Sequence, residues 1–495
     1  MRDKVSIFRE KIKEKKMLDS MLALLQWDLE TQAPKGGYEL ISKMIGDLSL
    51  KSYELTTNKE FIKLVENLYK EKESLDEIER KEVEILIEDI EKIKVIPSDE
   101  YRLYSELTAK AQGIWEHARE KKDFKIFAPV LKEIFEYNKK FIKYRGKDED
   151  VYSQLLCDYE KGMNIEKLDK FFEELKNEIV PLLKEIELQK RDFQGKIKFQ
   201  ESKEKQKELS KFILKYLGFD FQRGIISEST HPFTLTVNRN DVRLTTKYIE
   251  ELPFSSLYSS IHEGGHGIYE QGVENVLEET ILADGSSMGI HESQSRFYEN
   301  IIGRSEEFWS GIKDKVENYY PNLKKLSVKE VYKGINQVEK SLIRVEADEL
   351  TYSLHIMVRY EIEKGIMNGK YNVDELPQIW NEKMMEYLGV EPKDDVEGVL
   401  QDVHWSCGLI GYFPSYALGN VYSVQIYEAM KKDINVEGAL ERGELIKIKE
   451  WLGEKIHKYG KLKTPKEIII NICGEDLNSK YYIEYLKNKY REIYN

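Results

Sequence analysis

Two histidines four residues apart, with a glutamate directly after the first, stand in the stretch HEGGHG from His262 to Gly267. On an α-helix such a pair shares one face, so His262 and His266 would offer two imidazole nitrogens to a single ion. Zinc takes such nitrogens at about 2.0–2.1 Å. Glu263 points aside from that face, better placed to take a proton from a water beside the ion than to bind the ion itself. The competing reading is a pair of helix histidines with no metal. The chain has only 8 histidines, so a chance HExxH is on the order of one in a hundred, which favours the metal. Gly264 and Gly265 each cost about 1 kcal/mol relative to alanine in an exposed helix. A helix here must be held by what surrounds it.

A catalytic ion needs a third ligand. A continuation of the HExxHxxGxxH kind is excluded, because Tyr269 and Gly272 stand where that pattern has glycine and histidine. Two histidines and a carboxylate also make a catalytic set, with the fourth position left open. The preferred carboxylate is Glu292 in HESQSRFYEN (291–300), 26 residues beyond His266, with His291 as its rival. That separation lets the first helix end, a loop run through ADGSSMG, and a second helix return alongside. Glu292, Arg296 and Glu299 share one helical face, so the carboxylate would have neighbours to orient it.

The elements that must carry these residues read as helices. In IEKLDKFFEELKNEIVPLLKEI, apolar residues recur at Ile165, Leu168, Phe172, Leu175, Ile179, Leu182 and Ile186, one stripe on one face. Pro181 within that run is expected to kink the helix or divide it. Segments 1–26, 76–95, 127–144, 306–318 and 337–364 are patterned alike. One stretch departs from this: HPFTLTVNRNDVRLTTKY (231–248) sets β-branched residues around the turn-forming NRND and predicts a β-hairpin. It ends fourteen residues before His262, which puts a small sheet beside the site. No low-complexity linker or internal repeat interrupts the chain. The expected fold is mainly α, one large helical body over residues 1–495 with a small hairpin near the metal.

Composition narrows the function classes. Of 495 residues, 34% are charged with both signs intermixed, and the formal net charge is −13. A general nucleic-acid surface would need a basic excess, so no nucleic-acid partner is expected. No run of about 18 apolar residues is present to cross a membrane. The opening MRDKVSIFREKIKEKK is charged and amphipathic, unlike a signal segment. Cys157, Cys407 and Cys473 lie far apart and form no CxxC pair, which suggests buried thiols in a reducing compartment. The expectation is a cytoplasmic protein.

Several motifs together resemble the carboxypeptidase Taq (M32) family of zinc metallocarboxypeptidases. They are HPF (231–233), DVRLT (241–245), HEGGH (262–266), HESQ (291–294), IRVEAD (343–348) and GVLQDVHW (398–405), in an order and spacing similar to the family's. LLQWDLETQAPKGG (24–37) resembles its N-terminal signature, with Ala33 where methionine is more usual. Gly264 and Gly267 replace the more usual alanines. The resemblance implies a cytoplasmic, almost wholly helical homodimer with a deep groove, its N-terminal helices forming a wall or lid. It implies an enzyme that removes single residues from peptide C-termini with broad tolerance. His262, His266 and Glu292 become the metal ligands and Glu263 the general base. Zinc is the expected ion, although the same ligands accept cobalt or manganese.

Peptide hydrolysis needs more than an ion and a base. Donors must stabilise the oxyanion, and His404 with Tyr416 is similar to the donor pair of related helical zinc peptidases; Tyr412 competes with Tyr416. A free C-terminal carboxylate calls for a bidentate arginine, for which Arg243 and Arg344 are the motif-borne candidates. The bland role for Arg344 is a salt bridge to Glu346, Asp348 or a neighbouring helix. His231 is a further candidate to contact bound peptide, Asp402 is expected to orient a histidine, and Asp348 to hold an arginine. The alternative functions are a helical zinc oligopeptidase or dipeptidyl carboxypeptidase and, less favoured, a non-catalytic peptide-binding scaffold.

Overall fold

The computed structural model describes residues 2–146, 150–189 and 197–494. Among them, twenty α-helices and one three-stranded sheet make up the regular structure. Two compact units share the chain in interleaved segments: Met1–Glu91, Lys196–Ile335 and Ile426–Asp476 form the first, and Lys92–Gly195, Asn336–Gln425 and Leu477–Asn495 the second.

The first unit is built around the helix Pro253–Gly272, which carries HEGGH. Pro253 sits in its first turn, where a missing N–H costs nothing. Most of its length is buried, polar positions included, and its buried serines are paired: Ser256 Oγ donates to Gln206 at 2.7 Å and Ser260 Oγ to Ser210 at 2.9 Å. Both partners belong to the neighbouring helix Lys203–Leu217. On another side the helix meets the sheet, formed by β1 (Gly224–Glu228), β2 (Thr234–Asn238) and β3 (Asp241–Thr246) in the order β1-β3-β2. β2 and β3 are the predicted hairpin, antiparallel with Thr234 opposite Leu244. β1 pairs parallel to β3 and is a strand the sequence reading missed, because five residues are too few to show a period. Membership of the expected mainly α class is clear.

The second unit holds the long helix Ile165–Gln189, whose predicted stripe is buried from Leu168 to Ile186. Pro181 lies inside it without dividing it. At this unit's centre runs Glu349–Met367, buried on nearly every side. The helical reading of 337–364 was therefore correct only in its second part: Arg344–Glu346 is a short 3₁₀ turn, and Asp348 caps the helix by accepting from Thr351 N at 3.0 Å. Asp348 thus holds a helix end rather than an arginine. Its carboxyl, buried, is pushed up to about 6. The cysteines also differ from expectation, since Cys157 and Cys407 are exposed and Cys473 half-buried. Among the described residues no helix is long and apolar enough to cross a membrane.

Candidate metal centre

Gly265 decides how close the second ligand helix comes. A Cβ on it would stand 2.6 Å from the carbonyl oxygen of Gln294 and 2.7 Å from Ser295 Cα, backbone atoms of the helix Met288–Arg296. Only glycine permits that approach. It brings Glu292 Oε2 to 3.8 Å from His262 Nε2 and 3.6 Å from His266 Nε2. All three ligand atoms lie within 4.8 Å of one another, the one such metal-ligating group among the described residues. Ligands about 2.0–2.2 Å from a tetrahedral zinc stand about 3.3–3.6 Å apart. Both carboxylate–imidazole separations come near that spacing, and a donor set of two imidazoles and one carboxylate fits a divalent ion.

Each ligand is oriented from behind, as metal-binding imidazoles usually are. His262 Nδ1 lies 2.9 Å from Glu299 Oε2. Glu299 belongs to a π-helical turn, Phe297–Ile302, that continues the HESQ helix. Arg296 spans both carboxylates, donating to Glu292 Oε1 at 2.7 Å and to Glu299 Oε2 at 3.3 Å. The shared face read from the sequence is thus a working ion-pair row. His266 is held differently: its Nδ1 lies 2.5 Å from His291 Nδ1, and His291 Nε2 lies 2.7 Å from Glu270 Oε1. One tautomer satisfies the row, with His266 donating to His291 and His291 donating to Glu270. His291, the rival ligand, therefore stands behind His266. Glu270 was not foreseen, although it follows His266 by four on the same helix.

Charge is distributed accordingly. Burial would raise the Glu299 carboxyl, but Arg296, His262 and Arg304 hold it well below its usual range. His262 is raised, its burial outweighed by Glu292 and Glu299. His266 is lowered by burial and by the two neighbouring histidines. Glu263 is buried, which pushes its carboxyl up. Its Oε2 accepts from Thr234 Oγ1 at 2.6 Å, so β2 fixes the carboxylate beside the ligand pair.

The alternation that turns Thr234 and Leu244 toward the HEGGH helix turns Arg243 to the opposite face of the sheet. There its guanidinium lies 5.6 Å from the ring centroid of Trp27 and binds Asp241 through Nε and Nη2 at 2.8 and 2.7 Å. Phe233 meets the same indole edge-on at 5.8 Å. The N-terminal signature, HPF and DVRLT thus converge on one buried tryptophan. His231 is exposed, and its carbonyl accepts from Ser229 Oγ at 2.6 Å.

Comparison with known proteins gives the family. The model of the carboxypeptidase Taq (M32) metallopeptidase family matches residues 7–490. The chain belongs to that family. It is 45% identical to carboxypeptidase 1 of Bacillus subtilis over 96% of this chain and 95% of the relative. Identity to thermostable carboxypeptidase 1 of Pyrococcus furiosus is 38%, over 94% of each. Among solved structures, a Pyrococcus furiosus carboxypeptidase superposes with a TM-score of 0.95 at 36% identity, covering 99% of both chains. Trypanosoma cruzi metallocarboxypeptidase 1 does so with a TM-score of 0.95 at 32% identity, over 99% of this chain and all of that one. This M32 chain is accordingly a metallocarboxypeptidase, a peptide hydrolase that works with a metal ion.

The second unit of this M32 chain gathers the remaining motif residues. His404 Nε2 lies 3.1 Å from the Tyr416 hydroxyl, and Tyr412 stacks on the same imidazole at 5.6 Å. Arg344 is buried, with Nε and Nη2 on Asp402 at 3.0 and 2.8 Å and Nη1 on Tyr352 at 3.0 Å. Its charged plane lies 5.0 Å from the Tyr416 ring centroid. The partner of Arg344 is therefore Asp402, not Glu346 or Asp348. Asp402 also receives Arg359 at 2.6 Å, and its nearest approach to His404 Nδ1 is 4.0 Å. That is too long for a hydrogen bond, so Asp402 neutralises two arginines rather than orienting a histidine. Burial, with Arg344 and Arg359 nearby, brings His404 down to about 4. Near pH 7 it is a neutral imidazole with one N–H to give. Arg359 escaped the sequence reading; its signal is a lone cation inside the apolar run SLHIMVRYEI.

Proposed function

We propose that this chain removes single amino acids from peptide C-termini, with broad side-chain tolerance, using zinc held by His262, His266 and Glu292. The observation that carries the reading is the convergence of these three ligand atoms beside a buried Glu263. When bound, the ion supplies Lewis-acid activation of the scissile carbonyl and the attacking water. Glu263, steadied by Thr234, takes the proton of that water and returns it to the leaving amine. His404 and Tyr416 are the donors for the developing oxyanion, and Arg344 keeps Tyr416 in place.

Recognition of the free carboxylate falls to Arg243 rather than Arg344. The Arg243–Asp241 pair is partly exposed, so trading Asp241 for a substrate carboxylate costs little. Taking Arg344 from Asp402 would leave a buried charge uncompensated. His231 is a further contact for the peptide. The family resemblance supports a cytoplasmic homodimer, measurable by size-exclusion chromatography with light scattering. Product analysis with an N-blocked tetrapeptide tests the function: single amino acids released stepwise support it, and dipeptides or internal cuts overturn it.

A further inference from the structure

No helix or strand occupies the stretch between Leu388 and Pro414, where the helix with Tyr416 begins. Irregular segments of this length are uncommon inside compact folds and are usually functional. Something must fix this one, because His404 sits on it. The face of Glu349–Met367 does so with residues four apart. Arg359 donates to Gln401 Oε1 at 2.7 Å and to Asp402 Oδ2 at 2.6 Å. One turn further, Glu363 accepts from the Trp405 indole N–H at 2.8 Å and the Gly411 amide at 2.8 Å. It also accepts from the Tyr152 hydroxyl at 2.8 Å, so a third element is tied to the same carboxylate. Gly411 is at φ +92°, where a Cβ would press on Leu155 at 3.2 Å. Glycine is what lets the loop come this close.

Glu363 is wholly buried, and none of the family-like motifs contains it. A carboxylate there is a costly way to gain stability, since well-packed apolar side chains usually do as well. Burial pushes it up to about 7 against the pull of its three donors. What the carboxyl provides is direction: three donors on its two oxygens fix its plane, and two of them grip the residue after His404 and the residue five before Tyr416.

We infer that Glu363 is a positioning residue for the hydrolysis, holding the 404–416 loop so that His404 and Tyr416 meet the reacting carbonyl together. This rests on the reading of that pair as oxyanion donors. It differs from a role in folding alone, in which Glu363 would serve the second unit without bearing on the chemistry.

A double-mutant cycle separates the two, with rates referred to bound metal. Glu363→Gln keeps the shape but sets an amide N–H against one of the donors. The expected result is a fall in kcat of about tenfold with KM within about twofold. In a His404→Gln/Tyr416→Phe background, Glu363→Gln should lower kcat no further, because the groups it positions are gone. A lost folded fraction would instead multiply with the background, and that outcome overturns the inference. So does a Glu363→Gln enzyme with a lowered Tm and wild-type kcat. If His404→Gln/Tyr416→Phe alone keeps wild-type kcat, the donor reading fails and the inference with it. If it loses activity while Glu363→Gln does not, only the inference fails. Should Glu363→Gln not fold, Tyr152→Phe removes one donor and runs through the same cycle, with an expected loss of about threefold.

Discussion

In the first unit the groups to be positioned ride on two α-helices pressed backbone to backbone at Gly265. In the second unit His404 sits on an irregular loop, gripped from outside by Arg359 and Glu363. The first arrangement concentrates negative charge, with Glu292, Glu299, Glu270 and Glu263 around two histidines and Arg296 as the internal counter-ion. A cation completes such a set. The second concentrates positive charge, with two buried arginines sharing Asp402 and a neutral His404 beside them. That surrounding suits an oxygen gaining negative charge. Each region has the sign that its proposed task needs, and each obtains rigidity from a different source.

The contrast breaks most visibly at Asp402. Asp402→Ala leaves Arg344 and Arg359 buried without a counter-ion and should cost about 3–5 kcal/mol, read by denaturant unfolding. Metal affinity per folded molecule should not change, and a fall in it would couple the regions in a way this account does not contain. The glycines give the next effect. Gly265→Ala must push two helix backbones apart, costing about 1–3 kcal/mol and weakening metal binding. At Gly264 the added methyl presses on a side-chain methyl of Leu214 at 2.5 Å rather than on backbone, so a side-chain shift suffices. Gly264→Ala should stay within about 1 kcal/mol of wild type, since better helix propensity offsets the crowding. Thermal melts of the two variants with and without metal check the difference.

These glycines also show why part of the site could be read in advance. HExxH compresses two candidate ligands and a candidate base into five residues because a helix fixes their relation, and bringing the HESQ carboxylate beside them required only a plausible return path. The reason for Gly265 could not be read, because its partner is a backbone 29 residues further on. Helices with a one-sided apolar stripe, such as Ile165–Gln189, were legible for the same local reason. Glu349–Met367 was legible as a helix too, but it is buried almost all round, polar positions included, so no face marks Arg359 and Glu363 as special. β1 was missed because a short parallel strand depends on a neighbour remote in sequence. The motif arginines were legible as charges, but their partners were not, and partners decide which of them can exchange for substrate.

Smaller effects sharpen the first half of the comparison. His291→Ala removes the link from His266 to Glu270 and should weaken metal binding about 10–100-fold, measured by chelator competition. Glu82, also in the first unit, offers a test by pH. Although it pairs with Arg9 and accepts from Ile281 N at 3.0 Å, its burial dominates and raises it to about 7. The folded chain therefore holds this proton more tightly than the unfolded chain, whose carboxyl titrates near 4.5. The contribution is fully present below about pH 4.5 and is lost as pH rises through about 7, at no more than one proton, about 1.4 kcal/mol per pH unit. Glu82→Gln should flatten the stability profile in that window, as followed by urea unfolding at stepped pH.

The central claim is that the HEGGH and HESQ helices build a metal site in which Glu263 does the proton transfer. Glu263→Gln measures this directly, with bound metal and peptidase rate determined on the same sample. One ion per chain, as in the wild type, with activity lowered about a hundredfold to ten-thousandfold is the predicted result. A Glu263→Gln protein that holds the ion and cleaves within a few-fold of the wild-type rate would contradict it.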